Sequence, residues 1–178
     1  MKKLKKLGIA LLAIGTMSVV FTSCSKEEIK EDGCTDPLAY NYDALAEVDD
    51  NSCLYEGCTD PDAENYNSGA DIEDHTCLYK GSMVFWYGES TANYLINNSV
   101  TALTYYVDNQ IVGSSAASVY WTGAPDCEQK ASVTITKDLG NVKNKSYTFS
   151  VRSDSGVEEW TGVANFTANT CVKLQLVK

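Results

Sequence analysis

Seven cysteines, one histidine and a dense run of carboxylates are the side chains of this 178-residue chain with the most chemistry to offer. The lone imidazole, His75, excludes every site built on two: His₂ zinc centres, HExxH proteases and facial-triad iron. An odd number of cysteines in an exported chain leaves one to be committed elsewhere, while the other six would form three bridges. The acids Asp36, Asp49, Asp50, Asp60 and Asp74 lie close to four of the cysteines, and carboxylates in such density raise calcium, which takes six to eight oxygen ligands. Nucleophilic catalysis has little to stand on. From residue 81 onward there is no histidine and neither a G-x-S-x-G nor an S-x-x-K frame. The neighbours Glu158 and Glu159 would point to opposite faces of a strand, so they would not flank one substrate. A non-catalytic chain is expected. Asp+Glu 24 against Lys+Arg 14, net −10, also argues against nucleic acid as a partner, because phosphate recognition rests on Lys and Arg.

The charge is unevenly placed. Residues 1–24 hold four lysines and no acid, residues 25–80 hold 16 acids against three lysines, and residues 81–178 hold 8 acids against 7 bases. In the first segment Lys2, Lys3, Lys5 and Lys6 precede an uncharged apolar run from Leu7 to Phe21, then Phe21-Thr22-Ser23-Cys24. A basic start, a short apolar stretch and small residues before a cut describe a secretory signal peptide. The run is short of the roughly 20 apolar residues that a spanning helix needs. Cys24 behind Thr22-Ser23 resembles the looser lipobox of lipoproteins of Bacteroidetes-type bacteria. That resemblance implies a cysteine acylated through its thiol at the mature N-terminus, anchoring the protein in the outer membrane. Ordinary cleavage would instead leave Cys24 as a free thiol. Ser25 to Asp32 would form a polar tether spanning at most about 27 Å. Its acids Glu27, Glu28, Glu31 and Asp32 are a feature associated, in the lipoproteins it resembles, with display on the cell surface; read without that resemblance they are a solvated spacer.

The strongest pattern is internal. Residues 33–55 recur at 57–79 with 13 of 23 positions identical, in the frame G-C-T-D-P-x-A-x-N-Y-x₃-A-x₃-D-x₂-C-L-Y. The frame resembles short cysteine-bounded repeats found in tandem in secreted and surface proteins of Bacteroidetes and other marine-type bacteria, a resemblance that brings no established activity. Asp36-Pro37 and Asp60-Pro61 place a capping acid before a first-turn proline, so a helical turn is expected to reach Tyr42 and Tyr66. Ala39 with Tyr42, and Ala63 with Tyr66, would share its inner face. A unit of 24 residues is too small for a core of its own and needs a staple. Six cysteines permit 15 pairings, but a repeat demands the same pairing twice, which selects Cys34–Cys53 and Cys58–Cys77 and leaves Cys127–Cys171. With so little apolar core, both repeats are expected to unfold first on reduction. The acids keep two readings. Asp36, Asp49, Asp50, Asp60 and Asp74, with Glu73, are either calcium donors or caps and turn formers; no D-x-D-x-D-G loop is present, and His75 stands where copy one has Asn51. His75 reads as an exposed turn residue.

From Ser82 the texture becomes β-branched and aromatic. Strands are expected at Met83–Tyr87, Val100–Val107, Gln110–Val112, Val119–Trp121, Ala131–Thr136, Ser146–Arg152, Glu159–Thr167 and Val172–Val177, with Tyr147/Phe149/Val151 alternating onto one face. Asp108-Asn109 is a two-residue hairpin turn. Seven or eight short strands imply an antiparallel β-sandwich. Tyr105-Tyr-Val-Asp-Asn-Gln-Ile-Val-Gly113, Pro125-Asp-Cys127, Lys145-Ser-Tyr-Thr-Phe149, Trp160-Thr-Gly162 and Cys171 resemble a small β-domain of bacterial lipoproteins, akin to PEGA-type and transthyretin-like sandwiches and without a characterised function. Adjacent rings Tyr105/Tyr106 and Tyr120/Trp121 would each send one member outward if both lie on strands. Tyr106, Tyr120 and Trp121 are therefore the candidates for contact with a glycan or an envelope protein, against the plain reading that sandwiches favour aromatics on both faces.

The expected organisation is mainly β. A lipoprotein signal peptide (1–23) and an acylated cysteine with its tether (24–32) precede two disulfide-stapled repeats with little regular structure (33–56 and 57–80). A β-sandwich follows at 81–178. The leading function is a lipid-anchored display of an interaction module without a cofactor, and the alternative is a glycan-binding surface lipoprotein.

Overall fold

Each repeat closes on its own bridge, and the two do so in the same way. The computed structural model describes residues 30–178; the leader, Cys24 and most of the tether lie outside the described residues. Cys34 is bonded to Cys53 and Cys58 to Cys77, each across a separation of 19 residues. The short strands β1 (Asp32–Gly33) and β2 (Val48–Asp49) pair in parallel, as do β3 (Glu56–Gly57) and β4 (Ile72–Glu73). Between them the Asp-Pro segment makes a turn in which Ala39 N–H reaches Asp36 C=O at 3.0 Å and Ala63 N–H reaches Asp60 C=O at 3.0 Å. The turn is where the Asp-Pro pair predicts it, and Ala39 and Ala63 are buried. Tyr42 and Tyr66 are not on the inner face with them: both are exposed. A unit this small has too little interior to bury a tyrosine ring beside the alanine.

The last tyrosine of one repeat starts the next. The Tyr55 carbonyl accepts from the N–H groups of Asp71 and Ile72 at 2.8 and 3.0 Å, as the Glu31 carbonyl, 24 positions earlier, accepts from Glu47 and Val48. At the third equivalent position the chain leaves the pattern. Tyr79 opens β5 (Tyr79–Trp86), which runs without a break from the second repeat into the sandwich.

Seven strands and one helix make the larger part. After β5 come α1 (Glu89–Asn97), β6 (Ala102–Val107), β7 (Gln110–Ala116), β8 (Val133–Gly140), β9 (Asn144–Ser153), β10 (Glu158–Thr167) and β11 (Cys171–Gln175). They form two sheets, in the orders β10-β9-β6-β7 and β11-β5-β8. All ladders are antiparallel except β11 with β5, which is parallel. The fold is thus the expected sandwich with one parallel pair in it. The core lies between the sheets and gathers Met83, Phe85, Leu103, Tyr105, Val151 and Phe166; on β6, β9 and β10 these positions alternate with outward polar ones, whereas on β5 the intervening Val84 is buried as well. Cys58, Ala63, Cys77 and Tyr79 of the second repeat belong to that same continuous core, whereas Cys34 and Ala39 of the first do not.

Two expectations need correction. The residues between the expected strands Met83–Tyr87 and Val100–Val107, for which no element is expected, hold α1, which buries Thr91, Ala92 and Leu95. Its C-terminus is sealed by Ser99 in the left-handed region (φ 63°), with Ser99 N–H on Ile96 C=O and Val100 N–H on Leu95 C=O. This is the Schellman arrangement, here with serine where glycine is usual. The segment Val119–Trp121 is not a strand but part of the long connection from β7 to β8; Trp121 makes one backbone bond, to the Tyr87 carbonyl at 3.0 Å, and no ladder. Cys127, on the same connection, is bonded to Cys171 at the start of β11.

Candidate functional site

The carboxylates of the repeats are spent on their own turns. Asp36 receives the Leu38 N–H on one oxygen at 2.9 Å and the Tyr55 hydroxyl on the other at 2.8 Å. Asp60 does the same with Asp62 and Tyr79, at 3.0 and 2.8 Å. The frame's C-L-Y tyrosine therefore exists to hold the D-P acid. Asn41 and Asn65 strap each module by bonding the residues on either side of the second cysteine, Ser52 and Leu54 in one copy, Thr76 and Leu78 in the other. Asp49 and Asp50 accept from Asn51 and Ser52, and Glu73 and Asp74 from His75 and Thr76. Asn51 and His75 share a left-handed backbone, φ 61° and 62°, and His75 is exposed. Backbone and hydroxyl donors hold Asp36, Asp50, Glu73 and Asp74 below the ordinary carboxylate range. Asp36, Asp49, Asp50, Asp60 and Asp74 do not converge on a common point. Among the described residues the group with metal-ligand spacing is Cys58, Glu73 and Cys77, and its two sulfurs are bonded to each other. A disulfide offers no thiolate to a metal. The local contacts of these acids are those of caps and turn formers, and Asp36 and Asp60 add a bond across the module to a tyrosine hydroxyl.

Two clefts border the second repeat. One of about 540 Å³ lies between Pro61, Ala63 and Glu64 on one side and Ser82, Thr136 and Cys171 on the other, with Lys80 bonded to Glu64 at 2.6 Å. Another of about 390 Å³ is lined by Asp60, Glu73, His75, Tyr79 and Asn141. Lys143, on the turn before β9, closes on its edge with Nζ 2.6 Å from Asp60 and 3.0 Å from Asp62. Both are seams where the repeat packs on the sandwich, tied by ion pairs and by the shared core.

A third hollow, about 100 Å³, is of a different kind: it lies on the outer face of the four-stranded sheet. Thr148, Ser150 and Arg152 of β9 alternate with the buried Phe149 and Val151 and so point away from the core. In the ladder Ser150 stands opposite Tyr106 of β6 and Thr161 of β10, so the three form one row across the sheet. The Arg152 guanidinium lies over the Tyr106 ring, 5.1 Å from its centroid, with an Nη 3.5 Å from a Glu158 carboxylate oxygen. Asn109 of the β6–β7 turn closes one side; both turn residues, Asp108 and Asn109, have positive φ as a type I′ hairpin requires. The result is a row of hydroxyls flanked by a carboxylate and a guanidinium that lies over an aromatic ring. It donates and accepts hydrogen bonds side by side, next to a flat surface.

The three aromatic candidates are not brought together. Tyr106 is in this hollow, with Tyr105 directed into the core behind it. Trp121 lines a separate small gap with Trp86 and Tyr87, and Tyr120 is exposed on the β7–β8 connection. Sequence reasoning found Tyr106 and missed its neighbours. Ser150 and Arg152 were accessible to it, because assigning Tyr147, Phe149 and Val151 to the core assigns the residues adjoining them on β9 to the opposite face; Thr161, on β10, follows only from the ladder. Lys143 had no such signal. No known protein family, curated protein or solved structure matches the chain.

Proposed function

We propose that the protein is a lipid-anchored, non-catalytic component of the cell envelope that holds a β-sandwich interaction module away from the membrane. The observation that carries this reading is the cysteine pairing: the three bridges use Cys34, Cys53, Cys58, Cys77, Cys127 and Cys171, and the one cysteine outside them is Cys24, at the end of a basic and apolar leader. An acyl chain on that thiol accounts for the odd number. Disulfide staples suit an oxidising compartment outside the cytoplasm. The small repeats, whose polar frame residues are bonded to their own module or, at Asp60, to Lys143 of the sandwich as well, serve as spacing elements. Because the second repeat shares the sandwich core, the spacer proper is the tether and the first repeat. The β6–β7 hairpin with its left-handed Asp108-Asn109 turn, and the two facing sheets, support the likeness to PEGA-type and transthyretin-like domains of lipoproteins.

The test is Cys24→Ser in cells fed labelled palmitate. Loss of label and release of the protein from the membrane fraction is the expected result. A variant that still takes up label and sediments with membrane would end the lipid-anchor reading.

A further inference from the structure

We propose that the outer face of the β10-β9-β6-β7 sheet is a saccharide-binding site centred on Tyr106, Ser150 and Arg152. This gives the interaction module a ligand class; it rests on the module reading and is independent of the lipid anchor. The hollow is walled by groups that suit a polyol. The hydroxyls of Thr148 and Ser150 face it, and each both donates and accepts; the Thr161 hydroxyl, which donates to the Phe149 carbonyl at 3.2 Å, offers it an acceptor. Arg152 and Glu158, paired at 3.5 Å, set a donor fork beside an acceptor, which is the complement of two adjacent hydroxyls on one ring. The pair carries no net charge, so a neutral sugar is favoured over an anion, which would meet the Glu158 carboxylate. The Tyr106 ring, with the Arg152 guanidinium over it at 5.1 Å from the centroid, adds an apolar wall against which pyranose C–H groups pack.

The position excludes a peptide strand. Its centre is on β9 and β6, which are laddered on both sides and offer no unpaired backbone N–H or C=O, and strand addition needs an edge. The residues stand on three consecutive strands of one ladder, so their spacing is fixed by backbone hydrogen bonds and not by loops. At about 100 Å³ the hollow is well below the roughly 300 Å³ at which pockets for drug-sized ligands begin. It takes part of one ring, and the affinity of a single ring is expected in the millimolar range.

The test is amide chemical-shift mapping on the ¹⁵N-labelled unit Glu31–Lys178, which carries its own core and all three bridges. The probes are methyl β-D-glucopyranoside, methyl β-D-galactopyranoside and N-acetylglucosamine, each taken to about 50 mM, past the millimolar range of a one-ring site. The expected result is saturable shifts with at least one probe, gathered at 148–152, at 161 and at the 106–109 turn. Arg152→Leu should weaken binding by at least tenfold. Tyr120→Ala should leave it unchanged. If the dispersion of the Arg152→Leu spectrum shows misfolding, Ser150→Ala, which removes only the hydroxyl, takes its place with the same expectation. Silence with all three probes, or shifts that survive both variants, would overturn the site. Shifts gathered instead around Tyr120 and Trp121 would also overturn it while leaving a binding module in place, and none of these outcomes bears on palmitate labelling of Cys24.

Discussion

Asp36 and Asp60 hold the same place in two copies of one frame, and a lysine from the far half of the chain separates them. Both carboxyls lie below their ordinary 3.8. Asp36 is lowered by the Leu38 N–H and the Tyr55 hydroxyl, but Asp60 is held at about 2 because Lys143 adds its ammonium to the Tyr79 hydroxyl and the Asp62 N–H. A carboxyl depressed on folding contributes stability that is fully present above its unfolded pKa and is lost as pH falls toward the folded one. For Asp60 that window runs from about pH 4 down to about pH 2. Melting temperatures recorded between pH 5 and 2 should therefore fall in the native chain, and fall less in Lys143→Met, whose Asp60 keeps only the donors that Asp36 has. Parallel curves for the two proteins would show that Lys143 does not fasten the repeat to the sandwich. The lysine was out of reach of the sequence, since nothing in the spacing of Asn144-Lys145 and its neighbours points back 83 positions to Asp60. The frame itself was legible as a repeat, while the reason for its letters was not. Why the motif ends in tyrosine is a question of where Tyr55 and Tyr79 reach, to the acid 19 positions before each. The binding residues show the same divide. Tyr106 came forward because it adjoins Tyr105, and Arg152 stayed hidden because attention to rings passes over the hydroxyls and the cation that make a ring useful.

Elements were legible where side chains alternate and obscure where the backbone alone decides. Strand β9 lies within a few residues of its expected place because Tyr147, Phe149 and Val151 keep period two, and β10 because the Glu159–Thr167 run is rich in strand formers. Helix α1 was missed because it has neither boundary mark. Gly88 caps its start without a side-chain bond, and Ser99 takes the left-handed turn at its end in place of glycine. Val119–Trp121 has strand composition but no partner strand, so propensity lost to topology. Glycine shows the same dependence on neighbours. A Cβ on Gly81, in β5, would stand 2.6 Å from the Thr167 carbonyl oxygen, a backbone atom that has nowhere to go. β5 is laddered on both sides, to β8 and β11, so the strand cannot step aside either. Gly81→Ala is expected to cost about 2 kcal/mol, in the range of an overpacked core. On Gly123 a Cβ meets nothing within 4 Å, and Gly123→Ala should stay within about 0.5 kcal/mol of the native chain. Urea unfolding of the two variants measures both. Equal midpoints would mean that the β5–β10 approach is looser than the close packing described here.

At the scale of the whole molecule the question is where the spacer ends and the module begins, and the core answers it differently from the repeat. By sequence the two copies are one stalk, equal in length and staple, and equal loss on reduction is the natural expectation. The packing divides them. Cys58, Ala63, Cys77 and Tyr79 are part of the sandwich core, β5 runs out of the second repeat into the sheet, and Lys143 closes on Asp60 and Asp62. The first repeat has Cys34 and Ala39 buried outside that core, while its Leu38 is 86% exposed and its Leu45 72%. Apolar burial outweighs any one surface ion pair as a source of cooperativity, so the second repeat should unfold with the sandwich and the first before it. Removing a bridge tests this cleanly, because each closes a loop of the same length, worth about 3 kcal/mol by loop entropy alone. Cys34→Ser with Cys53→Ser should abolish hydrogen-exchange protection over residues 31–54 and leave the main urea transition within about 0.5 kcal/mol of the native one. Cys58→Ser with Cys77→Ser should leave that segment's exchange little changed and lower the main transition by about 3 kcal/mol or more, since two buried core positions also become polar. If the two double variants behave alike, the repeats are a single stalk independent of the sandwich, and the shared core does not couple them.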